Sequence, residues 1–257
     1  MSLDTLSRIT PPEPSEAHKA AEIEAKKGWP GWEDPIYRKA PFDPRWPIYH
    51  WSRWATIAEA FRRLGVEPGS RVLDVGCGIW TSAFLAEAQY LPLGIDISPA
   101  MIAISEERAA RWGVPARFKL ADMDNLDLGE QFDAALVFDA LHHSTRQADV
   151  VRGIARHLRP GGWVLFGEPT WLHAISPDAR RVSRETGWVE RGVTLRSLRR
   201  DCRRAGLGNF RRFFEPTRPY ESRLREFAWN LARLVGANFL VAPQFLRWLA
   251  AQKPAQN

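Results

Sequence analysis

Residues 71–80 read Arg-Val-Leu-Asp-Val-Gly-Cys-Gly-Ile-Trp, and twenty residues after Gly76 a carboxylate, Asp96, closes a second short apolar run. Val72, Leu73 and Val75 suit a strand buried on both faces. Gly76 and Gly78 let the backbone turn sharply and approach a ligand with no side chain between. A helix is expected to start near Thr81 or Ser82. Asp96 then stands where a carboxylate accepts hydrogen bonds from both hydroxyls of a ribose. A glycine pair alone carries little weight, but strand, turn, helix and spaced acid together define a nucleoside site.

The segment resembles motifs one and two of the class I S-adenosylmethionine-dependent methyltransferases, whose first strand ends in an acid-x-Gly-x-Gly-x-Gly turn. Asp74 stands at the acid, and Trp80 replaces the third glycine, beside the methionine end of the cofactor in that family. An NAD-binding turn is the competing assignment, but Gly-x-Gly with no third glycine after Leu-Asp-Val suits it less well. The resemblance implies S-adenosyl-L-methionine as cofactor and S-adenosyl-L-homocysteine as product. It places Asp74, Gly76, Cys77, Gly78, Trp80, Asp96, Ile97 and Met101 around the cofactor, with Asp139 at the end of the fourth strand. After the third strand, Asp122 and Met123 match the acid that meets the adenine amino group and the apolar neighbour that packs on its ring.

Methyl transfer from a sulfonium is an in-line displacement, so a site must hold the acceptor and, for a hydroxyl, remove a proton. Phe138-Asp139-Ala140-Leu141-His142-His143 ends the fourth strand, and an imidazole there can act as general base near neutral pH. Glu168 ends the fifth strand on the same edge, able to orient a histidine or bind the acceptor. These residues resemble sugar O-methyltransferases of natural-product pathways, which carry Leu-His-His after strand four and an acid after strand five. The resemblance implies that His142, His143 and Glu168 drive deprotonation, and leaves open which histidine is the base. Trp32, Tyr37, Tyr49, His50 and Trp171 are the candidate substrate-binding residues. Their aromatic faces suit sugar C–H groups.

Strand and helix signals alternate. Ser98 and Pro99 open a helix that Gly113 closes; strands follow at Ala116 to Leu120, Phe132 to Ala140 and Trp163 to Phe166. Thr145 is the expected cap of the helix between the last two. Further on, Thr194 to Ala205 and Glu221 to Val235 read as helices and Asn209 to Glu215 as a strand. Phe245 to Lys253 fits strand and helix equally. The order predicts an α/β fold, a Rossmann-like doubly wound, mostly parallel sheet with helices on both faces. Residues 1–55 are expected to form an N-terminal extension and aromatic lid, with a disordered start and a helix from Ser15 to Lys27. Residues 56–257 form the cofactor domain, with substrate-binding elements in 169–250. A second helix, about Tyr49 to Leu64, repeats Trp51, Trp54, Ala58, Phe61 and Leu64 as a core face. From Trp29 to Trp54 the chain holds five tryptophans and five prolines, too aromatic for a linker and too broken for long regular structure.

Charge is unevenly distributed. Residues 1–150 carry 16 Lys and Arg against 22 Asp and Glu, while residues 151–257 carry 20 against 8. Fourteen arginines lie between Arg180 and Arg225, an excess that favours an anionic partner or serves as a solvated helix face. The expected partner is a small-molecule or glycan acceptor, with an anionic or lipid-linked one suiting the arginines, and no DNA. The alternatives are an RNA methyltransferase drawing on the basic half and a non-catalytic S-adenosylmethionine-binding protein. The longest uncharged run, Leu234 to Leu246, is broken by Asn238 and Pro243 and too short for a membrane span, and Met1 opens no signal-like apolar core, so a cytoplasmic location is expected. Cys77 and Cys202 are expected to be reduced thiols. The remaining histidines, His18, His157 and His173 among them, lack ligand spacing, so no metal is expected.

Overall fold

The computed structural model describes residues 16–27, 48–188, 190–215, 223–235 and 246–255. The opening residues and the segment from Trp29 to Trp46, including Trp32 and Tyr37 and the expected aromatic lid, lie outside them.

Seven strands form one sheet: β1 (Arg71–Val75), β2 (Leu91–Asp96), β3 (Arg117–Leu120), β4 (Phe132–Phe138), β5 (Leu158–Pro169), β6 (Gly208–Phe213) and β7 (Leu246–Gln252). Their order is β3-β2-β1-β4-β5-β7-β6. Neighbours from β3 to β5 are parallel, whereas β7 runs antiparallel to both β5 and β6. From β1 the chain moves outward to β2 and β3, then returns to β4 on the other side. That reversal opens a crevice above the carboxyl ends of β1 and β4, where ligands of such sheets bind. The closing segment resolves as a strand. Leu246, Trp248, Leu249, Ala250 and Ala251 are all buried, and a strand covered on both faces has no period of two to display.

The helices are α1 (Glu16–Lys27), α2 (Ile48–Leu64), α3 (Thr81–Glu87), α4 (Pro99–Trp112), α5 (Gln147–His157), the single turn α6 (Trp171–Ala174), α7 (Pro177–Thr186), α8 (Leu195–Arg204) and α9 (Arg223–Leu234). On one face of the sheet, Trp54, Ile57 and Phe61 of α2 and Phe84 and Leu85 of α3 share a core with Val72, Leu136, Leu165 and Trp248. On the other, Val151 and Ile154 of α5 and Leu198 and Cys202 of α8 share one with Leu73, Val137 and Phe166. The α2 stripe is shifted from the expected one, because Ile57 and Ala60 are buried while Ala58 faces outward.

Local chemistry sets the joints that carry the site. The Ser98 hydroxyl accepts the Met101 N–H at the start of α4, Pro99 takes the first turn, and Gly113 ends the helix in a left-handed conformation. Such a cap contributes about 1 kcal/mol. The expected cap of α5 is corrected. Thr145 does not cap it; the Ser144 hydroxyl takes the Arg146 N–H at 3.0 Å, so the chain enters the helix one residue later. Gly167 of β5 is squeezed by Trp248, whose ring would lie 2.5 Å from an added Cβ, and Trp248 stacks on Phe138 at 5.7 Å. This packing fixes the end of β4, from which the reactive groups project.

Part of the arginine excess covers aromatic rings. Arg199 and Arg203 lie over Phe210, Arg211 over Trp163 and Arg212 over Phe214. Each guanidinium lies within about 6 Å of a ring centroid, close enough for attraction to its face. Cys77 and Cys202 are free thiols, both buried. Among the described residues no helix is long and apolar enough to cross a membrane.

Candidate active site

The crevice at the carboxyl ends of β1, β2 and β4 is a cavity of about 490 Å³, within the range of small-ligand pockets. Its floor is the glycine turn. Gly76 and Gly78 have φ of +68° and +54°, and a Cβ on Gly76 would sit 2.5 Å from that of Ala140. Only glycine lets this turn pass beneath the end of β4.

Asp96 is held facing the cavity by two amides: Oδ1 accepts the Ser98 N–H at 2.9 Å and Oδ2 the Gly78 N–H at 3.3 Å. Asp122 enters from the end of β3, where its Oδ1 takes the Asp124 N–H at 2.9 Å. Ile97, Met101 and Met123 add apolar walls, and Asp139 lines the opposite side. Trp80 is a wall as well. Its ring is braced edge-on by His50 at 4.7 Å and by Phe84 and Phe138.

Two of the expected cofactor contacts are corrected. Asp74 and Cys77 lie beneath the turn and do not line the cavity. Asp74 Oδ2 accepts the Ser82 hydroxyl at 2.6 Å. Burial, opposed by that bond and reinforced by the charge of Asp96, pushes the Asp74 carboxyl up to about 7. Cys77 packs its thiol toward Gly94, where even a methyl group would collide with it. Both residues shape the turn from below.

A feature that the sequence reading missed enters from α1, which packs on α4 and α7. Lys19 reaches Asp122 at 2.5 Å and Asp124 at 3.3 Å, and Lys26 reaches Asp96 at 3.3 Å and Glu22 at 2.9 Å. Burial works against the Lys26 cation, yet the Asp96 and Glu22 carboxylates outweigh it and hold its pKa above the ordinary lysine value. Both lysines line the cavity. The N-terminal helix therefore places cations on the two acids expected to hold the nucleoside.

At the end of β4 the backbone turns through Asp139, a non-glycine residue with φ of +54°, whose N–H bonds Gly167 O at 2.9 Å. The 3-10 turn Leu141–His143 follows. Glu168 builds this turn from behind. Its Oε1 accepts the N–H groups of Ala140 and Leu141 at 3.1 and 2.9 Å, and its Oε2 meets the His142 N–H at 3.3 Å and His142 Nδ1 at 3.0 Å. Glu168 is 2% exposed and does not line the cavity. His143 is the histidine that does.

The two imidazoles, with ring centres 4.0 Å apart, are driven in opposite directions. Burial opposes the His142 cation, but the bond to and charge of Glu168, helped by Asp139 and Glu190, raise its pKa. Burial and the neighbouring His142 charge lower that of His143.

Glu190, which lies outside the expected site residues, closes the group. Arg191 N–H bonds His142 O at 2.9 Å, Val193 bridges Thr170 in parallel, and Gly192 crosses Trp171 so closely that a Cβ would meet its Cα at 2.2 Å. This crossing delivers Glu190 onto the histidines, 2.9 Å from His173 Nε2. Its signal was Gly192, a glycine that permits a close backbone approach. Although burial raises a carboxyl, the bond to His173 and the charges of His143 and His142 lower that of Glu190.

The expected substrate residues fare unevenly. His50 is buried behind Trp80, where burial and the Arg53 charge press its pKa down to about 3, so it braces the wall. Tyr49 lies in the first turn of α2. Trp171 is corrected as a wall: Thr170 caps α6 and turns Trp171 outward, half exposed, while Trp188 lines the cavity against His143.

Residues 72–162 match the family described as the methyltransferase domain. The 27-O-demethylrifamycin SV methyltransferase of Amycolatopsis mediterranei is 34% identical over 172 residues, 60% of this chain and 62% of that protein. Phosphoethanolamine N-methyltransferase 1 of Triticum aestivum is 33% identical over 116 residues, 44% of this chain and 23% of that protein. Among solved structures, magnesium protoporphyrin IX methyltransferase from Synechocystis PCC 6803 with bound S-adenosylhomocysteine aligns with a TM-score of 0.61 at 17% identity, over 92% of this chain and 99% of that one. Residues 72–162 thus match a methyltransferase domain, set in a fold that the chain shares with an S-adenosylhomocysteine-bound methyltransferase. The chain spans less than two thirds of the curated relatives described here.

Proposed function

We propose that the protein transfers a methyl group from S-adenosylmethionine to a hydroxyl of a small molecule. The observation that carries this reading is the meeting, in one cavity at the strand-order reversal, of two acids and a histidine: Asp96, Asp122 and His143.

The residues present fit the cofactor. Asp96, fixed by two amides, turns an acceptor surface toward ribose hydroxyls, Met123 and Ile97 offer faces to a purine, and Asp122 offers an acceptor to its amino group. Bound there, S-adenosylmethionine supplies an electrophilic methyl on a sulfonium. The chain's own work is positioning and proton removal. Trp80 walls the cavity with a braced aromatic face. His143 faces the cavity and takes the acceptor proton, while His142, gripped by Glu168, holds the turn in place. Glu168 acts through the backbone of that turn and is a positioning residue.

An amine acceptor is the second reading, favoured by the resemblance to a phosphoethanolamine N-methyltransferase. An RNA acceptor has less support, since Arg199 and Arg203 of α8 and Arg211 and Arg212 of β6 lie over aromatic rings of the chain itself.

The test is transfer of labelled methyl from S-adenosylmethionine into separated pools of small hydroxyl compounds, amines, lipid-linked glycans and RNA. Label in the hydroxyl pool supports the reading. Label confined to amines or RNA replaces it, and tight S-adenosylhomocysteine binding with no labelled product in any pool would indicate a cofactor-binding protein without transferase activity.

A further inference from the structure

The structure assigns to His142, His143 and Glu190 a binding site for a divalent transition cation of the zinc class. Each of the three residues offers a ligand atom, and these atoms lie within 4.8 Å of one another. His142 Nε2 is 3.5 Å from Glu190 Oε2, and His143 Nδ1 is 3.9 Å from Glu190 Oε1. These separations are long for hydrogen bonds. They lie close to the roughly 3.4 Å that separates two ligands each about 2.1 Å from a tetrahedral zinc ion. Two imidazoles and one carboxylate form a recurrent donor set for Zn²⁺ and Fe²⁺, with further positions left for water or substrate.

Two outer contacts brace the set as metal sites require. Glu168 Oε2 lies 3.0 Å from His142 Nδ1, so the ring donates there and turns Nε2 toward Glu190. His173 Nε2 lies 2.9 Å from Glu190 Oε2 and holds that carboxylate from the other side. Carboxylate–histidine–metal arrangements of this kind fix tautomer and ring orientation before the ion arrives. His142 is buried, the Glu190 side chain is 7% exposed, and His143 opens the group to the cavity, which gives the ion an entry path. The ligands come from two segments far apart in the chain and brought together by packing, so spacing along the chain gave no sign of them.

The inference goes beyond methyl transfer, because the site needs neither cofactor nor acceptor to fill. One lone pair on His143 cannot hold a cation and accept a proton together. Loading is therefore expected to slow the proposed transfer.

The test is titration of the full chain with ZnCl₂ by calorimetry and with CoCl₂ by visible absorption, without cofactor or acceptor. One equivalent is expected to bind with micromolar or tighter affinity, and cobalt is expected to show the intense bands of a low-coordinate nitrogen and oxygen site. Glu190→Gln and His143→Ala are each expected to weaken binding at least tenfold. His173→Ala, which removes only the brace, is expected to weaken it by about tenfold. Glu59→Gln, on an exposed helix face, serves as the control and is expected to bind like the parent. No stoichiometric binding by the parent, or binding that survives both Glu190→Gln and His143→Ala, overturns the assignment. The cobalt spectrum of the parent stands on its own should a variant fold poorly. A protein that binds neither zinc nor cobalt yet transfers methyl would sink this site alone, whereas a zinc-binding protein without transferase activity would sink only the proposed function.

Discussion

Lys26 Nζ lies 3.3 Å from Asp96 Oδ1, so a cation of the N-terminal helix sits on the carboxylate proposed to receive ribose hydroxyls. Lys19 does the same at Asp122. Cofactor hydroxyls must displace these contacts before they reach the acids. The double substitution Lys19→Ala/Lys26→Ala is expected to raise affinity for S-adenosylhomocysteine by about three- to tenfold, the scale of one ordinary hydrogen bond removed from competition. Calorimetry reads this directly. A fall in affinity would show that α1 holds the cofactor in place.

Asp96 and His143 are expected to separate binding from chemistry. Asp96→Ala removes the acceptor that faces the ribose and should weaken cofactor binding by one to two orders of magnitude, about 1.5–3 kcal/mol for bonds to a charged group. His143→Ala should leave cofactor affinity within about threefold and lower turnover by roughly 10²–10⁴. Steady-state kinetics beside calorimetry checks both. Equal loss of affinity in the two variants would refute the assignment.

Glu168 is expected to matter first for folding of the turn. Its two oxygens serve three backbone N–H groups and the His142 ring inside the protein. Glu168→Gln replaces one acceptor oxygen by a donor that faces other donors, a mismatch costing roughly 2–4 kcal/mol. Urea unfolding measures it. A loss of turnover with unchanged stability would mean that Glu168 acts in the chemistry instead.

Asp74 gives a signed pH dependence. Its carboxyl is raised in the folded chain from 3.8 to about 7. Below pH 4 it is protonated in both states and the folded state keeps its full advantage. Between pH 4 and pH 7 the unfolded chain releases the proton first, so this contribution to stability is lost as pH rises. Asp74→Asn keeps a neutral side chain at every pH. The variant is expected to gain on the parent by a few kcal/mol between pH 4 and pH 8, the order set by the shift. Unfolding curves of both proteins across that range would expose an error as a constant difference.

What the sequence reveals depends on where each signal lies along the chain. The glycine turn, Asp96 and the caps at Ser98 and Gly113 were legible because their geometry is local: a positive φ needs glycine, and a helix start needs an oxygen. Strand β7 was ambiguous because it is buried on both faces. The Thr145 cap was misplaced by one residue because the Ser144 hydroxyl holds the Arg146 N–H just ahead of the first turn and Arg146 takes the cap position. Asp74, Cys77 and Glu168 were recognised as parts of the site, yet their side chains turn beneath it.

By itself, then, the sequence determined the alternating fold, the nucleoside-type cavity and the presence of histidines at the end of β4. Those properties rest on residues near one another in the chain. The tertiary structure alone decided that His143 faces the cavity while Glu168 holds His142 behind it, that Glu190 arrives over the Gly192 crossing, and that Lys19 and Lys26 occupy the acids. Each of these depends on how distant segments pack, and no local pattern records which of two adjacent side chains the packed backbone turns inward.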